Sequence, residues 1–298
     1  MSKYRFYPYG EVYFTEPRVT DTLSFAHVVD LHLPPVDEAA WPARYRHAIE
    51  WWNVDSGRPH ATLPALLDQV AAAKVDFVFF GGDVLDYYDP ATADYVVELC
   101  RQRGLKCHFQ IGNHDYESDY LRFVTHECDA QVRAANGAKL AEHWQMPGLY
   151  HSFEQRGVRF VSLDTPYHKL DCGYGGRFDR AQADWLTEQL SFDGPIVVFL
   201  HVPFALPTNE LRLRGVWNGN LAGVIEDEQG RRVKNAIAAC PNVLGLFCGH
   251  THVRFEDRLG HTCQFITGSG TQGDWRKVTI GPGPPPKSMR VAGEPTVD

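Results

Sequence analysis

The amino-acid sequence predicts an α/β protein, a sheet core covered by helices within a single domain. Three observations carry that expectation. Short β-prone apolar runs alternate with helical patterns over most of the 298 residues. Hydrophobic residues make up 44% and charged residues 22%, the balance of a folded globular chain rather than a disordered one. No linker-like stretch separates two halves, and no internal repeat is visible.

The elements follow in order. Residues 24–29 form a short apolar run ending at Asp30. Residues 62–73 read as a helix with Thr62 as N-cap and Leu66, Leu67 and Val70 on one face. The run VDFVFF (75–80) has the composition of a strand buried on both faces. Asp89-Pro90 opens a second helix, with proline at its first position, and Gly104 closes it. Residues 105–111 are the next strand, and 150–155 and 158–164 flank Arg156-Gly157 as a hairpin. Asp179 caps a helix carrying Trp185, Leu186 and Leu190, and the strand 196–200 follows. Residues 231–239 predict a helix, 243–248 a strand, and 253–258 with 262–267 a second hairpin. The core then spans about 24–280 of the domain 1–298, with 1–23 an N-terminal extension and 281–298 a Gly/Pro-led tail. The connections 34–60, 118–147 and 205–230 are too long for plain turns and read as lids, binding loops or subunit contacts.

Charge and cysteine usage narrow the function classes. With 29 Lys+Arg against 37 Asp+Glu the formal charge is −8, which argues against a broad phosphate-gripping surface and so against nucleic acid as partner. No stretch approaches the roughly 18 apolar residues of a membrane span, and the N-terminus lacks the layout of a signal peptide. The 7 cysteines stand singly, with no CxxC pair, as reduced thiols of a cytoplasmic protein do. What needs explaining is the 14 histidines.

Five of the expected strands end in metal-type donors: Asp30-Leu31-His32, Gly82-Asp83-Val84-Leu85-Asp86, Gly112-Asn113-His114-Asp115, His201, and Gly249-His250-Thr251-His252. Strand C-termini of an α/β sheet share an edge, where ligands bind. The donor set Asp30, His32, Asp83, Asn113, His201, His250 and His252 is too large for a four-coordinate structural zinc site. It suits two divalent ions about 3.5–4 Å apart. Imidazole mixed with carboxylate points to Mn, Fe or Zn rather than Ca or Mg. A carboxylate can be shared between two ions, and the Asn113 amide oxygen fills a coordination position without adding charge.

In this order the blocks D-x-H, G-D-x-x-D, G-N-H-D, H and G-H-x-H resemble the pattern of calcineurin-like metallophosphoesterases, over about residues 25–253. The resemblance implies a four-layer α/β/β/α sandwich and a dinuclear centre. Asp30, His32 and His252 would hold one ion, Asn113, His201 and His250 the other, with Asp83 bridging. It further implies hydrolysis of P–O bonds by a metal-bridging hydroxide. His114 would bind a phosphoryl oxygen and protonate the leaving alkoxide, with Asp86 paired to its far nitrogen. Asp86 stands where the purple acid phosphatase branch carries tyrosine.

The stretch Gly-Gly-Arg-Phe-Asp (175–179), continued by Gln182, Trp185 and Leu186, resembles the branch containing class III cyclic-nucleotide phosphodiesterases, so small phosphodiesters are the expected substrates. Tyr116 and Glu117 depart from that branch, where an arginine is common, and leave a phosphomonoesterase or nucleotide pyrophosphatase as the alternative. A non-enzymatic scaffold on this fold is disfavoured by the intact donors and His114. Besides Asn113 and His114, the residues expected near substrate are His126, His168, Trp217 and Trp275. The aromatic-rich first 20 residues would either pack across a homodimer interface or add an edge hairpin.

Overall fold

The computed structural model describes residues 4–6, 10–37, 39, 59–117, 130–165, 176–206, 225 and 227–285. Twelve strands are assigned among them: β1 Tyr4–Phe6, β2 Val12–Thr15, β3 Leu23–Val28, β4 Phe77–Gly81, β5 Cys107–Gln110, β6 His151–Gln155, β7 Val158–Leu163, β8 Ile196–Leu200, β9 Val243–Cys248, β10 Phe255–Leu259, β11 Thr262–Ile266 and β12 Arg276–Gly281. They form two six-stranded sheets, ordered β1-β2-β12-β3-β4-β5 and β10-β11-β9-β8-β7-β6. The strands β3, β4 and β5 run parallel, as do β7, β8 and β9, so each trio sends its C-terminal ends to one edge. Five helices are α1 Pro59–Ala72, α2 Pro90–Gln102, α3 Ala130–His143, α4 Arg180–Gln189 and α5 Glu228–Ala239.

Three apolar cores separate four layers, the arrangement the family resemblance implies. Eight phenylalanines (Phe14, Phe25, Phe77, Phe79, Phe160, Phe199, Phe247 and Phe265) fill the space between the sheets. Phe79 and Phe199 stack at 3.6 Å across that interface, and Phe25 meets Phe160, Phe199 and Phe247 edge-on. Outside the first sheet lie Leu63, Leu66, Leu67 and Val70 of α1, Ala93 and Val96 of α2, and Leu140 of α3. Outside the second lie Leu186 of α4 and Val233 and Ile237 of α5. The strands between these cores are buried on both faces, which is why the sequence shows them as unbroken apolar runs.

Local chemistry sets most boundaries as expected. Asp89 caps α2 by accepting from the Thr92 amide at 2.8 Å, and Pro90 sits at N1. Gly104, at φ +66°, closes the helix: its amide bonds the Arg101 carbonyl and the Leu105 amide reaches back to the Cys100 carbonyl. Arg156 and Gly157, both at positive φ, make the two-residue turn between β6 and β7.

Four differences have identifiable causes. Thr62 does not cap α1, because Pro59 occupies the first helical position, where its missing amide costs nothing, and Thr62 falls inside the first turn. The strand β12 went unread because it opens with Arg276-Lys277, yet Arg276 is buried, its guanidinium bound to Glu256 (2.9 Å) and the Ile266 carbonyl (3.0 Å). Helix α3 lies in what read as the long connection 118–147; it carries Asn136 and Gly137, poor helix formers, and is held by tertiary contacts. The N-terminal extension is not outside the core: β1 and β2 form a hairpin, β2 pairs with β12, and Val12 and Phe14 are fully buried between the sheets. No helix among the described residues is long and apolar enough to cross a membrane.

Candidate metal centre

The donors converge because the two strand trios end at facing edges and each chain segment turns sharply there. Asp30, His32, Asp83, His250 and His252 all have φ between +44° and +69°, the left-handed region that Asp and His enter only at local cost. Such strain clusters where the fold places a side chain for a purpose. Two glycines permit the close approach. A Cβ at Gly112 would lie 2.2 Å from Asp83 Oδ1, and one at Gly82 would lie 2.5 Å from His201 Nδ1. Any side chain at either position would push a donor out of the cluster.

The resulting geometry has two main groups. In Asp30, His32 and His252 one ligand atom from each lies within 4.8 Å of the others, and the same holds for Asp83, His201 and His250. Asp83 Oδ2 is 3.1 Å from His201 Nε2 and 3.8 Å from His32 Nε2, so it faces both groups. Asp30 Oδ1 is 3.8 Å from His252 Nε2 and 3.9 Å from His201 Nε2. The carboxylates are anchored from behind: the His250 amide donates to Asp30 (2.9 Å to Oδ2) and the His114 amide to Asp83 Oδ1 (2.8 Å). His201 Nδ1 lies 2.8 Å from the Gly81 carbonyl, which can only accept, so Nδ1 carries a hydrogen and Nε2 is the nitrogen turned toward the carboxylates. Asn113 Oδ1 is buried with no hydrogen-bond partner.

A buried imidazole nitrogen among carboxylate oxygens needs a proton or a metal ion between them, and an orphaned buried amide oxygen is costly unless a cation faces it. The donor set therefore fits metal ions. The electrostatics agree. Burial opposes protonation of His201 and His114, but the Asp83 carboxylate outweighs it and moves each up to about 9. Burial pushes Asp30 up to about 6, whereas Asp83 is held below its ordinary range, burial notwithstanding, by His201 and His114. Without metal the cluster collects protons, which cations would displace.

A third group, His32, Asp86 and His114, adjoins the first. Asp86 Oδ1 is 3.0 Å from His114 Nδ1 and 3.3 Å from His32 Nδ1. One carboxylate oxygen thus orients a candidate ligand and the candidate proton donor together. The buried Asp86 carboxyl is held well below the usual carboxylate range by these two histidines.

The model of the calcineurin-like phosphoesterases matches residues 23–254. The chain belongs to that family. Among solved structures it is similar to a dimetal phosphatase from Danio rerio (13% identity over 86% of this chain and 92% of the other, TM-score 0.55). It is also similar to a purple acid phosphatase from yellow lupin seeds (12% identity over 88% of this chain and 46% of the other, TM-score 0.50). At these identities the likeness speaks for the fold. Among curated protein sequences, none matches.

In this calcineurin-like phosphoesterase the seven candidate ligands, His114 and Asp86 gather at one edge. His126, His168 and Trp217 lie outside the described residues. Trp275 packs beneath α1, its Nε1 3.5 Å from Gln69 Oε1. Asp115 is structural, as a loop carboxylate there suggests: its oxygens accept from the Leu85 and Gly112 amides, both at 2.7 Å, tying two donor loops together. The sequence reading missed Ser269, whose hydroxyl donates to the Asp30 carbonyl at 2.8 Å, and Asp164 at the end of β7. Asp164 carried a signal, being one more polar residue directly after a strand.

Proposed function

We propose that this protein is a dinuclear-metal hydrolase of phosphate esters whose substrates are small phosphodiesters. The observation that carries the reading is the pair of donor groups, Asp30/His32/His252 and Asp83/His201/His250, with Asp83 facing both and the orphaned Asn113 oxygen next along the chain from Gly112. Ions of the Mn, Fe or Zn type held there supply Lewis acidity and an activated water.

The chain's own residues do the rest. Asn113 fills a position without adding negative charge. His114 approaches Asp86 through Nδ1, which assigns Nε2 to the phosphoryl oxygen and to the proton that the leaving oxygen needs. Asp86 holds that ring in place while orienting His32. The phosphodiester preference is supported by the segment that carries the branch resemblance: Phe178 is buried, Asp179 caps α4, and Gln182 reaches the end of β7 at the donor edge. The free thiols Cys100, Cys107, Cys240, Cys248 and Cys263 suit a cytoplasmic setting.

The test is turnover of bis-p-nitrophenyl phosphate against p-nitrophenyl phosphate by metal-stripped protein reloaded with Mn, Fe, Zn or Mg. Diester preference restored by one metal is the expected result. Monoester preference overturns the diester assignment, and failure to bind metal overturns the centre itself.

A further inference from the structure

The two strand trios face each other in pairs at the donor edge. β3 meets β9 where the His250 amide bonds Asp30, and β4 meets β8 where His201 approaches Asp83 at 3.1 Å. The third pair is β5 with β7. The Gln110 amide ties β5 to the carbonyls of Leu163 (2.6 Å) and Phe199 (3.1 Å), and the Tyr116 hydroxyl donates to Asp164 Oδ1 at 3.0 Å. Asp164 is thus the strand-end donor of the third pair, and none of the five family blocks contains it.

Its position is built with care. The Asp164 amide donates to Gln182 Oε1 (2.7 Å) and the Gln182 amide donates back to the Asp164 carbonyl (2.9 Å), so both backbone groups are clamped by one buried side chain. Tyr116 is buried, with Gly137 of α3 against its ring, Asn136 bonded to its carbonyl at 2.9 Å, and the Arg133 guanidinium 5.9 Å from its centroid. Arg133 is itself paired with Glu117 at 3.2 Å, both buried. Amid these covered partners Asp164 remains partly open to solvent. Burial pushes its carboxyl up to about 8, against the Tyr116 hydrogen bond, with Asp179 raising it further and Arg133 lowering it. At neutral pH the group carries a proton and sets no second anion beside an anionic ester.

The direction matters too. Within one loop, the His114 ring turns to His32 and Asp86, whereas the Tyr116 hydroxyl turns to β7. Under the role proposed for His114 the leaving oxygen would lie on its side, and the β7 side would be left to the other substituent.

We propose that Asp164, held by Tyr116 and Gln182, is a substrate-binding residue that hydrogen-bonds a hydroxyl on the retained alcohol of the ester, and that hydroxyl-bearing phosphodiesters are the preferred class. This rests on the hydrolase reading above. The test compares glyceryl p-nitrophenyl phosphate with methyl p-nitrophenyl phosphate, which share a leaving group and differ in the retained alcohol. The metal-loaded protein should favour the glyceryl ester in kcat/KM. Asp164→Ala, which removes the donor and acceptor that an amide would keep, should lower that preference about 10-fold, the worth of one hydrogen bond, with the methyl ester as the reference substrate. Tyr116→Phe should lower it less, and it decides the matter should Asp164→Ala fail to fold or to bind metal. An unchanged preference in the folded, metal-loaded variants overturns the proposal. Loss of all phosphodiester turnover in the parent overturns the hydrolase reading instead.

Discussion

The two sheets bring different chemistry to the same edge. The first ends its parallel strands in oxygens, Asp30, Asp83 and Asn113; the second ends β8 and β9 in imidazoles, His201 and His250. Each side depends on the other for its buried polar groups. A carboxylate from the first sheet takes its amide donor from the His250 loop of the second, and an imidazole from the second finds its acceptor in the Gly81 carbonyl of the first. Neither half-site is satisfied alone, so the centre exists only when the phenylalanine core has docked the sheets. Buried ionic groups of this kind are poor stabilisers but exact positioners.

Variants can break or sharpen that contrast. Asp83→Ala should be the most damaging, about 10⁴-fold in kcat if each of two ions supplies several kcal/mol, with bound metal reduced in elemental analysis. An equal loss from His201→Ala would erase the distinction between a carboxylate facing both groups and an imidazole serving one. His114→Ala should cost about 10³-fold in kcat while metal content stays at the parent level. Metal loss in that variant would move His114 from proton donor to ligand.

Asp86→Asn tests whether one oxygen serves both histidines. Metal affinity should weaken roughly 10–100-fold through His32, with kcat falling through His114. A change in kcat alone would remove His32 from its reach. The smallest effect concerns stability. The unfolded chain releases the Asp164 proton near the ordinary carboxylate pKa of 3.8 and the folded one only near about 8. Between those values the folded state holds the extra proton, so wild-type stability falls as pH rises through that window and levels off above it. Asp164→Asn removes the term: its melting temperature relative to wild type should climb from pH 4 to pH 8 and then hold constant. A pH-independent difference would contradict the raised carboxyl.

Much of this was legible from local signals. The apolar runs of β4, β8 and β9, the caps at Asp89 and Asp179, and the polar residues that follow each strand depend on neighbours a few positions away. Helix α3 was not, because Asn136 and Gly137 argue against a helix until Tyr116 supplies the surface they fit. Nor was β12, whose leading Arg276 needs Glu256 and the Ile266 carbonyl to be buried.

By itself the sequence determined which residues could bind metal, since residue type and order along the chain encode that chemistry directly. Only the tertiary structure decided which donors share a group, that Asp86 touches two histidines, and that Asp164 completes the third strand pair. Those facts depend on distances between segments as far apart as Asp30 and His250, set by the packing of one sheet on the other.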